Sequence, residues 1–173
     1  MKGSTSAPPL TRVVDRVEQA LAWLLVLLMG VMVVDVTWQV VSRFLLHAPS
    51  SITEELAGFL LIWIGLLGAA YGFRTRAHLG IDLLVSSMGG TARRTVTVIA
   101  HALVLAFALC TLVIGGIMLV RLAFRLDQIS AAMGIRMGMV YLALPVAGLL
   151  IIIFSVESIA KATAASAGTE DHG

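Results

Sequence analysis

The feature that most constrains this chain is an uncharged, apolar run within residues 51–82. Eighteen residues between Glu55 and Arg74 carry no charge. At 1.5 Å per residue, an α-helix of this length crosses most of the hydrocarbon core of a bilayer. Glu54 and Glu55 place negative charge at the positive end of the helix dipole, and Arg74 lies at the opposite end. We therefore predict a transmembrane helix over residues about 55–74 that starts outside the cell and ends in the cytoplasm.

Three further apolar segments predict the same structure elsewhere in the chain. The 173 residues are 59% hydrophobic and 13% charged, whereas soluble domains carry about a quarter charged residues. We predict an all-α integral membrane protein with four transmembrane helices, at residues about 19–44, 55–74, 95–121 and 137–157. They form a single membrane domain, residues 1–173, in which 1–11 and 162–173 are predicted to be disordered tails.

The Lys and Arg residues are shared unequally between the two sides of this predicted bundle. Eight lie on the side that holds both termini and the loop after the second span, and four lie on the other side. Because cytoplasmic loops carry the excess of Lys and Arg, both termini are predicted to be cytoplasmic and the lipid bilayer is the expected surrounding. These residues flank apolar spans and form no basic face interleaved with aromatic residues, so nucleic acid is not an expected partner.

A short amphipathic pattern lies between the second and third spans. Its apolar residues recur with the spacing i, i+3, i+4 and i+7: Ile81, Leu84, Val85 and Met88. This pattern predicts a helix over residues about 80–89 that lies in the membrane interface or docks on a partner. Asp82 is expected to offset the basic residues nearby, and His78 to be a hydrogen-bonded interfacial residue rather than a metal or haem ligand.

A polar stripe runs along the outer half of the first span. Its members recur at i, i+4, i+7 and i+8: Asp35, Gln39, Ser42 and Arg43. Such a stripe should face protein rather than lipid, and it has two interpretations. Asp35 could be an ion or proton site, or the stripe could be a polar seam packed on another helix. The seam is favoured because no second membrane-embedded acid is expected to accompany Asp35.

Small residues and one tryptophan in the second span indicate helix packing. Gly68 and Gly72 form a small-xxx-small pair, which permits close approach of a neighbouring backbone. Trp63 lies in the middle of the span, away from the interfacial belts where Trp anchors in lipid headgroups. It is therefore expected to fill a groove against a neighbouring helix.

The outer side of the bundle carries a second set of expectations. Arg43 should lie close to Glu54 and Glu55 across a short turn and form a salt bridge there. Residues 121–136 should lie outside the membrane, helical to about 126 and then forming a turn over 130–134. In the fourth span, Tyr141 is an expected interfacial anchor, and Pro145 should bend the helix because it removes a backbone hydrogen bond.

Several of these residues together form a signature. Residues 54–57 read EELA, residues 68–70 read GAA, and residues 141–145 read YLALP. Arg74, His78 and Asp82 follow each other at intervals of four, and Arg43 precedes Phe44 ahead of the second span. In this order and spacing the sequence resembles the small membrane subunit of tripartite ATP-independent periplasmic (TRAP) transporters, the DctQ family. The likeness covers residues from about 43 to 150. Arg136 stands where the pattern suggests a proline.

The resemblance implies a small permease subunit of a sodium-gradient-driven importer of organic acids in the bacterial inner membrane. Its implied partners are a large membrane subunit, which holds the substrate and sodium sites, and a soluble periplasmic substrate-binding protein. The small subunit is expected to act as a scaffold for the large subunit and to help dock the binding protein, with no cofactor, metal or substrate site of its own. The motif and packing residues that should matter are Arg43, Glu54, Glu55, Trp63, Gly68, Gly72, Arg74, His78, Asp82, Tyr141 and Pro145.

Other functions fit the sequence less well. No nucleophile with a base, metal-ligand spacing or phosphate loop is present, so the chain is predicted not to be an enzyme. The alternative function is a small proton-coupled exporter that works as a homodimer around Asp35. A weaker third possibility is a b-type cytochrome anchor through His101, but no second histidine lies within a predicted span.

Overall fold

Four apolar stretches of helix dominate the structure. The computed structural model describes residues 9–47, 50–85 and 90–167. The helices are Pro9–Phe44 (α1), Ser51–Val85 (α2), Gly90–Phe107 (α3), Gly116–Arg125 (α4), Met137–Tyr141 (α5) and Ala143–Ala167 (α6), with a π-helical segment, Ala108–Gly115, between α3 and α4. The stretches long and apolar enough to cross a membrane are Thr11–Phe44, Ser51–Thr75, Val98–Arg125 and Met137–Ala160. The predicted all-α fold with four transmembrane helices is confirmed.

The core lies where α1, α2 and α6 meet. Val14 and Leu21 of α1, Leu67 of α2 and Phe154 of α6 are buried against one another. Trp63 packs on this cluster from α2, as its mid-span position suggested. Because lipid tails are as apolar as these side chains, burial alone does not join helices in a bilayer, and close packing and polar contacts must hold them together.

Among the glycines that the structure describes, three make the closest helix approaches, and these three lie in the second half of the chain. A Cβ atom on Gly116 would lie 2.9 Å from Leu144 Cβ, and one on Gly148 would lie 2.8 Å from Leu112 Cβ. A Cβ on Gly138 would lie 2.7 Å from the Phe124 ring. These distances leave no room for a side chain, so the glycines let the π-helical segment and α4 pack directly on α5 and α6.

The predicted glycine pair in α2 has a different environment. A Cβ built on Gly68 or Gly72 would have no neighbour within 4 Å. The pair therefore makes no close helix contact within the part of the chain that the structure describes. The predicted role of Gly68 and Gly72 in helix packing stays a prediction, and it concerns a helix of a partner protein.

Several helix boundaries differ from those expected. α1 already begins at Pro9, where a fixed φ and a missing N–H suit the first turn of a helix. α2 continues without a break to Val85, so the predicted interfacial helix at 80–89 is not a separate element as far as it is described. The single Gly80 costs only about 1 kcal/mol in a helix, too little to end it. Residues 86–89 lie outside the described part, and α6 extends to Ala167.

The segment between α4 and α5 forms a compact outer turn. α4 ends at Arg125, close to the expected limit, and Ile129 then pairs with Arg136 in an isolated antiparallel bridge. Inside the bridge the Ser130 amide donates to the Ile135 carbonyl at 2.8 Å, and Gly134 adopts a positive φ of 67°. After α5 the helix is interrupted at Leu142, within the turn before Pro145, which has no N–H to continue the ladder.

Candidate functional site

A buried arginine joins three helices at one end of the bundle. Arg74 of α2 is 8% exposed and binds carboxylates from α1 and α6. Its Nε donates to Glu18 Oε2 at 3.0 Å, its Nη2 donates to Asp15 Oδ1 at 3.2 Å, and its Nη1 donates to Glu157 Oε2 in a short contact. Its Cζ lies 5.8 Å from the centre of the Phe154 ring, within cation–π range. We call these five residues the Arg74 cluster.

The energetics of the Arg74 cluster favour a structural role. A buried guanidinium is tolerated only when it is paired and hydrogen-bonded, and its planar fork can serve several carboxylates at once. Glu157 is 3% exposed, whereas Asp15 is 57% exposed and remains in contact with solvent or headgroups. Removing one partner of a buried ion pair costs about 3–5 kcal/mol, while an exposed pair contributes about 1 kcal/mol or less. The contact between Arg74 and Glu157 therefore dominates.

Glu157 also corrects a premise of the sequence analysis. It lies within the fourth membrane stretch, Met137–Ala160, so Asp35 is not the only acid at membrane depth. Sequence reasoning missed Asp15, Glu18 and Glu157. The available signals were two acids three residues apart at the start of the first span, and one acid near the end of an apolar span.

The polar stripe of α1 faces α2. Asp35 is 7% exposed, and Ser42 is also buried. Gln39 Nε2 donates both to Asp35 Oδ2 and to the Thr53 carbonyl of α2, each at 2.9 Å. Ser42 Oγ donates to the Gln39 carbonyl at 3.0 Å. This is the geometry of a packed polar seam, whereas Arg43 at its outer end is exposed.

The start of α2 is attached to the outer turn by Glu55. Its carboxylate accepts hydrogen bonds from the amides of Ala132 and Met133, each at 3.0 Å, and a short one from the Ser130 hydroxyl. Backbone amides that converge on a carboxylate form a strong, charge-assisted site. The predicted salt bridge from Arg43 is wrong, because no ion pair joins Arg43 to either α2 acid in the described segments. The turn amides hold Glu55 instead.

The other predicted residues are more scattered. Tyr141 is half-buried at the end of α5, and Pro145 is buried in the first turn of α6. His78 and Asp82 lie in the part of α2 that follows Arg74. His101 of α3 is buried, and its ring meets Phe73 edge to face with centroids 5.9 Å apart. Among the described residues, no three His, Cys, Asp or Glu side chains are placed to hold a metal ion.

Four apolar helices tied together by buried polar contacts define a multi-pass membrane protein. The family model described as "Tripartite ATP-independent periplasmic transporters, DctQ component" matches residues 32–165. The chain therefore belongs to the DctQ family, and it is a TRAP small permease subunit of a secondary transporter.

Individual relatives agree with this assignment. The chain is 28% identical over 155 residues to the sialic acid TRAP transporter small permease protein SiaQ of Vibrio cholerae, covering 87% of this chain and 83% of SiaQ. It is 34% identical over 94 residues to the C4-dicarboxylate TRAP transporter small permease protein DctQ of Rhodobacter capsulatus, 53% of this chain and 40% of that one. It is 27% identical over 120 residues to the sialic acid TRAP transporter permease protein SiaT of Haemophilus influenzae, 69% of this chain but 19% of SiaT. These relatives are permeases, which confirms that the chain is not an enzyme, and they do not favour the exporter alternative.

Proposed function

We propose that this TRAP small permease subunit is a static scaffold for a large membrane subunit, in a sodium-gradient-driven importer of organic acids. The observation that carries the proposal is the Arg74 cluster, which ties α1, α2 and α6 into one unit. Helices that shift against one another during transport need mutual contacts that break easily. The Arg74 cluster does not have that character, because a shift of α1 or α6 against α2 would break buried, charge-assisted hydrogen bonds.

The expected partner is a large permease subunit. The region that matches this chain makes up only 19% of SiaT, so a counterpart of the chain occurs inside a much longer permease polypeptide. The outward faces of the helices support the same partner. Trp23 and Trp38 on α1 are 75% and 52% exposed, and the Gly68–Gly72 face of α2 is open to close approach. Glycines on a lipid-facing surface add no packing contacts with lipid, whereas they let the backbone of a partner helix approach closely.

The outer turn is the proposed contact for a periplasmic substrate-binding protein. Glu55 holds the turn through the Ala132 and Met133 amides, so its surface is preformed. Asp127 and Arg136 lie on that surface, both largely exposed, with Asp127 Oδ1 3.8 Å from Arg136 Nε. Exposed charges of both signs suit a transient, electrostatically guided encounter. The excess of Lys and Arg on the other side supports this placement, with both termini in the cytoplasm. The likeness to TRAP permeases supports a location in the bacterial inner membrane.

Reconstitution of transport tests the proposed function. The chain, its large subunit and the binding protein are placed in proteoliposomes, and uptake of an organic acid is measured with and without an inward sodium gradient. We expect gradient-dependent uptake only when all three components are present, with no added cofactor. Equal uptake after omission of this chain would contradict a scaffold role, and uptake without sodium would contradict the coupling.

A further inference from the structure

A small cleft opens on the outer side between the end of α1 and the start of α2. It has a volume of about 120 Å³. Arg43 from the last turn of α1 and Glu54 from the first turn of α2 both line it. A cleft of this size admits a small polar group but not a whole lipid.

The two charged side chains that line this cleft, Arg43 and Glu54, form no ion pair within the described structure. Arg43 and Glu54 are both exposed, and neither forms an ion pair with another described residue. The neighbouring acid Glu55 is bound by the outer turn, so it does not compete for Arg43. A guanidinium and a carboxylate that line one cleft without pairing offer complementary contacts to a ligand that carries both an anion and a cation.

The depth of the cleft in the membrane limits the ligand further. Arg43 lies next to the end of the membrane stretch Thr11–Phe44, and Glu54 lies near the start of Ser51–Thr75, so the cleft is at the level of the lipid headgroups. Three exposed apolar residues at intervals of four form a row along α1 that begins in the cleft: Phe44, Val40 and Val36. An acyl chain can lie along such a row while its headgroup occupies the cleft.

We propose that this cleft binds one phospholipid whose headgroup carries both a phosphate and a primary ammonium, the chemistry of phosphatidylethanolamine. Arg43 donates to the phosphate, as its planar fork allows, and Glu54 accepts from the ammonium. The acyl chain lies along Val36 and Val40. The site belongs to the α1–α2 hairpin, so it does not depend on the transport function proposed above.

Native mass spectrometry of the delipidated full-length chain tests this proposal. Phosphatidylethanolamine, phosphatidylglycerol and phosphatidylcholine with identical acyl chains are titrated separately in detergent. We expect one phosphatidylethanolamine per chain, bound more tightly than the other two lipids. Arg43→Gln should weaken binding of all three by about tenfold, because each loses a charge-assisted hydrogen bond to its phosphate. Glu54→Gln should remove the preference for phosphatidylethanolamine over phosphatidylglycerol.

Two control variants test whether a loss of lipid binding comes from the cleft itself. Arg125→Gln removes an exposed cation from the end of α4, outside the cleft, and should leave all three affinities unchanged. Arg43→Lys keeps the positive charge and should retain most of the binding, and the helix content of each variant is checked by circular dichroism. The proposal is overturned if the wild-type chain shows no preference for phosphatidylethanolamine, or if Arg43→Gln and Arg125→Gln bind alike. Equally tight binding of free phosphoethanolamine would assign the cleft to a soluble zwitterion and overturn the lipid site.

Discussion

At the scale of single residues, Arg74 and Glu55 act at opposite ends of α2. Arg74 meets carboxylates of α1 and α6, and Glu55 meets the amides of the outer turn. Each contact joins α2 to segments far away in the sequence. Arg74 donates from three separate nitrogens spread over a planar fork, whereas the three donors of a lysine share one nitrogen, so lysine would reproduce these contacts poorly.

The first prediction concerns the buried charge of the Arg74 cluster. Arg74→Gln leaves the buried Glu157 carboxylate without this cation, and we expect the free energy of unfolding to fall by about 3–5 kcal/mol. Thermal unfolding of the purified chain in detergent measures the change. Arg16→Gln, at an exposed position of α1, is the matched control and should cost less than about 1 kcal/mol.

A double variant separates this charge effect from a loss of packing. Arg74→Gln combined with Glu157→Gln removes both the cation and its buried acid. The double variant should therefore lose less unfolding free energy than the sum of the losses in the two single variants. Strict additivity of the two effects would show that the two side chains do not interact.

The second prediction concerns the contact between Glu55 and the outer turn. Glu55→Gln removes the charge and one of the two acceptor oxygens that bind the Ala132 and Met133 amides. Loss of a charge-assisted hydrogen bond should speed hydrogen exchange of these two amides by roughly tenfold. Glu54→Gln is the control, since Glu54 has no contact with the turn in the described structure. Unchanged protection in Glu55→Gln would contradict the assigned contact.

At the scale of helices, glycines divide the bundle into a closed part and an open part. Gly116, Gly138 and Gly148 are in contact with neighbours that leave no space for a Cβ atom, whereas Gly68 and Gly72 face open space. The first group holds the chain together. The second group leaves one face of α2 available for a partner.

The third prediction uses this contrast. Gly148→Ala forces its new methyl group against Leu112 and Val113, and we expect a loss of about 1–3 kcal/mol in thermal unfolding of the isolated chain. Gly68→Leu should leave that stability unchanged but reduce both co-purification with the large subunit and sodium-driven uptake. Normal co-purification of Gly68→Leu would count against a role of this face in assembly.

The helices were predictable from sequence because an apolar run of membrane length has few other structures available. The outer turn over residues 130–134 was predictable in the same way, because local chemistry determines it. Near Pro145 the structure shows an interruption of the helix at Leu142, and the predicted bend stays a prediction. The partners of polar residues were not predictable. Ser130 lies 75 residues from Glu55, and Glu157 lies 83 residues from Arg74, whereas helical periodicity reports only on neighbours within one helix. The spacing of glycines likewise indicates that another helix can approach closely, but it does not identify that helix.

At the scale of the whole molecule, the protein is a small bundle that is fixed at two levels. The Arg74 cluster joins α1, α2 and α6 at one end, and Glu55 joins α2 to the turn between α4 and α5 at the other. Its remaining surface is dominated by exposed apolar side chains. Buried internal contacts and an open glycine face fit the supporting role that we propose for this subunit.

We propose that this bundle is completed by a larger permease and does not transport alone. The most direct test of this proposal is purification of the chain from its native membrane in mild detergent, followed by mass determination of the intact particle and an uptake assay on the separated chain. We expect a stoichiometric complex with a large, many-spanning subunit and no solute movement by the chain alone in vesicles. A lone, stable species that moves solute unaided would contradict it.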